Sequence, residues 1–179
     1  LVFAYLCVVA YDGLMGIGVY QGYHPEQPIL FNHTLHAGTN QISCVYCHHQ
    51  SLDSRHAGIP SANICMNCHK GISEGRSPNG TNDIHRIYEA VGWDPDQMAY
   101  TGEEKPIKWV KVHNLPDLAY FNHSQHYVVA GIECQECHGQ VQQDFVTAEQ
   151  YSDLTMGWCI DCHNTTKVNM DGNGYYDEI

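Results

Sequence analysis

Positive charge is what this chain has least of. Its 179 residues hold eight Lys and Arg against twenty Asp and Glu, a formal net charge of −12. That balance excludes nucleic acid as a partner, because phosphate binding depends on Lys and Arg displacing counterions. It leaves docking to basic proteins open. The acidic residues are scattered through loops such as "DPDQ", "GEE" and "DGNGYYDE", so they read as a solvated surface. Catalytic signatures are missing too: there is no P-loop, no dinucleotide fingerprint, no paired-carboxylate signal and no Ser–His–Asp arrangement. A long apolar run appears once, at the start.

That run, "LVFAYLCVVAYDGLMGIGVY", has Asp12 as its one charge. Twenty such residues suffice to cross a hydrocarbon core. It has no initiating Met, no basic flank and no small-residue cleavage site, so it does not read as a complete signal peptide. Residues 1–22 are expected to be the far part of a transmembrane anchor that starts upstream. Cys7, within it, reads as a buried thiol.

What the chain does have is thirteen His and nine Cys. Eight of the cysteines form four pairs of one pattern: "CVYCH" (Cys44, Cys47), "CMNCH" (Cys65, Cys68), "CQECH" (Cys134, Cys137) and "CIDCH" (Cys159, Cys162). Three chemistries use C-x-x-C. A zinc ribbon fits the interval between Cys47 and Cys65, redox-active thiols fit the pair, and covalent haem fits the pair plus the histidine. The fourfold His decides for haem, since zinc and thiol chemistry give no reason for it. Two thiols so spaced add to two vinyl groups on one porphyrin edge, and the next imidazole reaches the iron. His48, His69, His138 and His163 are thus the expected proximal ligands.

The same letters return ninety positions later. "FNHTLH…ISCVYCH" overlies "FNHSQH…IECQECH", with Phe31 on Phe121, Asn32 on Asn122, His33 on His123 and His36 on His126. Such self-similarity marks a duplicated unit, each copy carrying two haem motifs. The echo also points to the distal ligands. Histidines three apart share a helical face yet diverge enough to serve two haems. His33 and His123 are assigned to the first haem of their own units, and His36 and His126 to neighbouring haems. His113 is a further expected distal ligand, with His56, His49 and Met156 as other candidates and Met98 not excluded. Met66, between attachment cysteines, is badly placed. His24 and His85 read as surface residues, the latter in "NDIHRIYEAVGW", an amphipathic helix ending near Gly92.

Four haems need four distal ligands, and at least five histidines are available. That surplus favours full coordination and electron transfer over catalysis at an open iron. The expected fold is mostly irregular with short α-helices, built from two duplicated dihaem units behind the anchor. The first unit covers residues 23–72, a linker with a short surface helix 73–108, and the second unit 109–179. Covalent attachment of haem places these units outside the cytoplasm.

"GYHPEQPILFNHTLHAGTNQISCVYCHH", "HAGIPSANICMNCHK", "KWVKVHNLPDLAYFNHSQH" and "LTMGWCIDCH" together resemble the pentahaem cytochrome subunit of alternative complex III, a bacterial quinol:cytochrome c oxidoreductase. The likeness runs from about Tyr20 to Tyr176. More distantly, the "FNHxxH…CxxCH" unit is similar to small class III multihaem cytochromes. The resemblance implies a redox subunit, not an enzyme by itself, anchored by one helix in the bacterial cytoplasmic membrane with its haems in the periplasm. Electrons would come from an iron–sulfur subunit and integral membrane quinol-binding subunits. They would leave to a monohaem cytochrome, a soluble cytochrome c or a terminal oxidase. This chain shows four motifs where that family has five, so a fifth haem is expected beyond residue 179. The competing readings are a stand-alone quinol dehydrogenase cytochrome and a multihaem reductase with one open haem.

Overall fold

The computed structural model describes residues 1–144 and 147–167. Short helices dominate, joined by long irregular segments. In chain order they are α1 (Val2–Met15), α2 (Cys44–Cys47), α3 (Ala62–His69), α4 (Pro78–Val91), α5 (Cys134–His138), α6 (Val141–Asp144) and α7 (Met156–Thr165). A two-residue antiparallel ribbon, β1 (Trp93–Asp94) with β2 (Ala99–Tyr100), pairs Trp93 with Tyr100. Two wide π-helical turns, Thr34–Thr39 and Gln125–Val129, and a 3-10 turn, His49–Leu52, complete the set.

The anchor expectation is overturned. α1 has 14 residues, which at 1.5 Å per residue is about 21 Å, well short of the roughly 30 Å of a hydrocarbon core. Among the described residues no helix is long and apolar enough to cross a membrane. The reason is local: the helix stops at Met15, and the chain turns away through Gly16 and Gly18, the latter at φ 83°. The single-pass anchoring expected from residues 1–22 is therefore not supported by the described residues. The α1 side chains are exposed from end to end.

The apolar core lies where a mere linker was expected. α4 begins at Ser77, whose Oγ accepts from the Gly80 amide, with Pro78 in the first turn, and it ends at Gly92 in the left-handed conformation. These are the start and stop signals of an ordinary helix. Ile84, Ile87, Tyr88 and Val91 fall one helical step apart on a single stripe and are buried with Ile29, Met66 and Trp93. Met66 is 1 % exposed, so the residue between two attachment cysteines is the centre of the packing. Cys65 lies at the edge of this cluster. The Tyr88 hydroxyl donates to the His69 carbonyl at 2.6 Å, tying the core helix to the second motif. Arg86 binds Asp83 at 2.9 Å and the Pro28 carbonyl at 3.2 Å.

The duplicated units grip each other reciprocally. The π-turn of the first unit packs on α6 of the second, and the π-turn of the second packs on the 3-10 turn of the first. Gly38 sits so close to the Gln142 main-chain carbonyl that a β-carbon there would overlap it. On the other side, the amides of His123 and Ser124 donate to the carbonyls of Arg55 and Ser54 at 3.1 and 3.2 Å. Buried Gln150 adds a stitch between distant segments. Its main chain bonds Gly22 and Tyr23, while its side-chain oxygen accepts from the Asn114 amide at 2.8 Å.

Truncating Met66 to Ala is expected to cost about 3 kcal/mol, the usual scale for a large buried side chain. Chemical denaturation of the haem-loaded protein measures it, and a loss below about 1 kcal/mol would mean that this cluster is not the core.

Candidate haem sites

The π-turns build the histidine pairs, and they do so twice. In the first unit the Phe31 ring stacks on His36 at 4.4 Å and meets His33 edge-on at 4.8 Å. In the second, Phe121 stacks on His126 at 4.3 Å and meets His123 edge-on at 4.9 Å. Asn32 Oδ1 accepts from the Leu35 amide at 2.8 Å, and Asn122 Oδ1 from the Ser124 amide at 3.0 Å. Each turn then closes with wide-loop bonds, Asn40 N to Leu35 O at 2.9 Å and Ala130 N to Gln125 O at 3.0 Å. Single π-helical turns of this sort cluster at functional positions. The shared "FNH" is therefore a ring-setting device. Its letters were visible in both copies, but the orienting roles of Phe31 and Phe121 were not.

Five of the rings hold their Nδ1 against a main-chain carbonyl. His36 reaches Asn32 O at 2.8 Å, His48 Gly58 O at 2.7 Å and His69 Ile72 O at 2.9 Å. His123 reaches Arg55 O and His126 reaches Asn122 O, both at 2.8 Å. A carbonyl can only accept, so each Nδ1 carries the hydrogen and each Nε2 keeps its lone pair. That is the tautomer a metal needs, and a bond on the far nitrogen fixes the ring's direction. Gly58 presents its carbonyl from φ +73°, a conformation that favours glycine.

The rings meet across the motifs. His36 and His69 have centroids 6.2 Å apart, His126 and His163 6.0 Å, and His123 and His138 6.4 Å with planes 9° apart. The first and second pairs occupy matching places in the two units. His33 and His48 are the counterparts of the third, and His48 is one of the charges acting on His33. Burial, then His48 and His36, pushes His33 down to about 4. Burial, then His113 and His123, pushes His138 down to about 3. His113 and His123 are lowered chiefly by burial as well. Neutral imidazole is the ligating form.

The cysteine thiols are pushed the other way. Burial, then neighbouring cysteines, raises Cys134 and Cys137 to about 11 each and lifts Cys47, Cys65 and Cys159. A redox-active pair needs a lowered thiol, so that reading loses support. None of the nine cysteines is disulfide-bonded. No three His, Cys, Asp or Glu side chains among the described residues close around a bare metal ion, which weighs against zinc. The thiols neighbour one another in a sequence: Cys65 and Cys68 beside Cys47, Cys44 beside Cys134, and Cys137 beside Cys159 and Cys162.

The remaining expected ligands are not members of these pairs. His113 hydrogen-bonds His138 through Nε2 at 3.1 Å. His56 is exposed, near His123. His49 lies in the exposed 3-10 turn beside Cys47, bordering a cleft with Gln50 and Ile64. Met156 is exposed at the start of α7. His85 stacks on Tyr88 at 5.8 Å, and His24 bonds the Gly22 carbonyl, as surface residues would. The chain's last residues, where the resemblance implies continuation towards a fifth motif, lie outside the described residues.

Residues 18–92 match the Class III cytochrome C family, a segment that holds the first pair of motifs and α4. The chain is also similar to the menaquinone reductase, multiheme cytochrome c subunit, of Nitratidesulfovibrio vulgaris (strain Hildenborough). The two are 28 % identical over 117 residues, which is 63 % of this chain and 46 % of the relative. The chain thus spans about half the length of the curated relative it matches. The class III match implies covalently bound c-type haem as the cofactor. The residues fit that group. Two in-line metal–imidazole bonds of about 2 Å, plus about 1 Å from each nitrogen to its ring centre, separate the rings by about 6 Å, as in the three pairs. His33 departs from the pattern of the other rings, since its Nδ1 is buried with no partner among the described residues.

Replacing Gly58 by Ala strains a positive-φ residue and crowds the Gln50 side chain, at a cost of about 1 kcal/mol. The Gly58 carbonyl then shifts from His48, and one low-spin haem signal in the electron paramagnetic resonance spectrum should broaden or move. An unchanged spectrum would show that this carbonyl does not orient the ring.

Proposed function

We propose that this chain is an electron-transfer subunit whose four cysteine pairs would hold four covalent haems, with two histidines serving each. Cys44 and Cys47 with His48 and His33 form the first site, and Cys65 and Cys68 with His69 and His36 the second. Cys134 and Cys137 with His138 and His123 form the third, and Cys159 and Cys162 with His163 and His126 the fourth. When bound, each haem supplies an iron that exchanges one electron with little change of geometry. The chain's own part is to hold the rings, set their tautomers and bring the four attachment sites next to one another. The single observation that carries this reading is the set of three imidazole pairs with ring centroids 6.0–6.4 Å apart. With His33 and His48 as the fourth pair, every iron would lack a position for a substrate, which favours conduction over catalysis. The thiol neighbours support an order second, first, third, fourth, with the two duplicated units meeting at Cys44 and Cys134.

At the finer level, the chain is read as a redox subunit of a quinone-linked membrane complex. Both the resemblance to alternative complex III and the name of the menaquinone reductase relative support that. The resemblance runs electrons from quinol, through an iron–sulfur partner, towards a cytochrome or oxidase acceptor. The relative's name favours a second reading, with menaquinone as the acceptor. Mixing the intact complex with a menaquinol analogue separates them: reduction of the haems supports the first direction, and oxidation of pre-reduced haems by the quinone supports the second.

The mass of the haem-loaded chain tests the core claim. Four covalent haems, wholly low-spin, with no carbon monoxide adduct, are expected. Replacing His36 by Ala should make one haem in four high-spin and able to bind carbon monoxide. A wild-type protein that binds carbon monoxide at one haem would favour the reductase reading instead.

A further inference from the structure

The two units repeat each other closely, but they part at one ring. His48 donates from Nδ1 to the Gly58 carbonyl at 2.7 Å. Its counterpart ninety residues on, His138, has its Nδ1 against another imidazole, the Nε2 of His113, at 3.1 Å. The two rings are 4.5 Å apart and nearly perpendicular, at 88°. Five other rings at these sites hold their Nδ1 against a main-chain carbonyl. On the haem reading, His138 keeps its Nε2 lone pair for the iron, so its hydrogen sits on Nδ1. The bond then has one direction: His138 donates from Nδ1, and the His113 Nε2 accepts.

No histidine of the first unit stands behind His48 as His113 stands behind His138: His24, one register off in the sequence, bonds the Gly22 carbonyl instead. The residue ninety positions earlier is Tyr23, exposed and stacked edge-on against Tyr20 at 6.4 Å. Nothing in the duplication itself therefore requires His113. An imidazole nitrogen is a more basic acceptor than an amide oxygen, so it draws the Nδ1 hydrogen of His138 more strongly. The His138 ring gains negative character, and its Nε2 becomes a stronger donor to a metal. Hydrogen bonding to an axial histidine is one of the levers by which a protein sets haem potential.

We propose, on the basis of the haem reading above, that His113 is a positioning residue that makes the haem held by Cys134 and Cys137 harder to reduce than the haem held by Cys44 and Cys47. A more electron-rich imidazole stabilises ferric over ferrous iron, so the potential of that one haem falls. His113 thereby breaks the symmetry of the duplicated sites at their shared junction, and the two central haems are unequal although their ligands are alike. This role places His113 behind the proximal ring rather than on an iron, which is where the count of histidines alone put it.

The test uses the haem-loaded full chain with His113→Leu and His113→Gln, followed by spectroelectrochemical titration and electron paramagnetic resonance. The Leu variant should raise the potential of one haem in four, leave the other three in place and keep every haem low-spin. The Gln variant offers an amide oxygen like the carbonyls of the other sites. It should give an intermediate potential, and it carries the test if the Leu variant fails to mature. The proposal is overturned if no potential moves or if all four move together. It is overturned as well if a high-spin haem appears, because His113 would then be an axial ligand itself. A wild-type chain without covalent haem would sink the haem reading along with it, whereas four haems with unmoved potentials would sink this inference alone.

Discussion

The Nδ1 hydrogen bond to a main-chain carbonyl, made by five of the paired imidazoles, is the constraint on which the rest depends. It costs the chain long irregular segments, because the carbonyls of Arg55, Gly58 and Ile72 must be brought to ring edges at 2.7–2.9 Å. A helix or sheet would consume those carbonyls internally. Irregular backbone leaves them free, which is why a chain devoted to holding rings has so little regular structure. The π-turns are the exception that follows the same logic. Their widened loops let His36 and His126 bond the carbonyls of Asn32 and Asn122, four residues back on their own turn.

Packing follows the same division of labour. Among the described residues a conventional apolar cluster forms once, under α4, where Ile84, Ile87, Tyr88 and Val91 pack with Met66. It is reached from the site side by Cys65 and tied to it by Tyr88 on the His69 carbonyl. The outer face of this corner is closed by Lys70, which lies over the rings of Trp93 and Tyr100 at 5.4 and 4.9 Å. Cation–ring contacts of this kind suit an exposed edge where an ion pair would be screened. Elsewhere, the ring-bearing segments are half-buried or exposed, with His33, His123 and His138 half-buried and Cys44, Cys68 and His163 exposed.

Much of the site was legible because its spacing is short and repeated. Cys–x–x–Cys–His is one turn of chain, so its meaning survives without knowledge of the fold. "FNHxxH" was recognisable because it occurs twice. Which ring faces which was legible only in part. His36 and His69 lie thirty-three positions apart, and their approach depends on how α3 is propped by α4. α4 itself was readable as a helix with a stop at Gly92. Its stripe was taken for a surface feature because its main partner, Met66, lies hidden between two cysteines. The first twenty residues misled in the opposite way. Composition measures apolarity but not continuity, and the turn at Gly16–Gly18 ends the helix after 14 residues. His113 was singled out by count, yet its partner is the ring of His138.

The reciprocal exchange of turns between the two copies makes the chain a tethered dimer. Each half supplies a surface to the other, so neither seam can form without its mate. Joining them in one polypeptide turns a bimolecular encounter into an internal one, with an effective concentration set by the connecting segment rather than by expression level. Segment 73–108 is thus more than a connector: by folding around α4 it shortens the span between the halves. A pair of identical subunits would be bound to keep their sites equivalent. A fused pair is free to let them diverge, one residue at a time, while the handshake between the turns is kept.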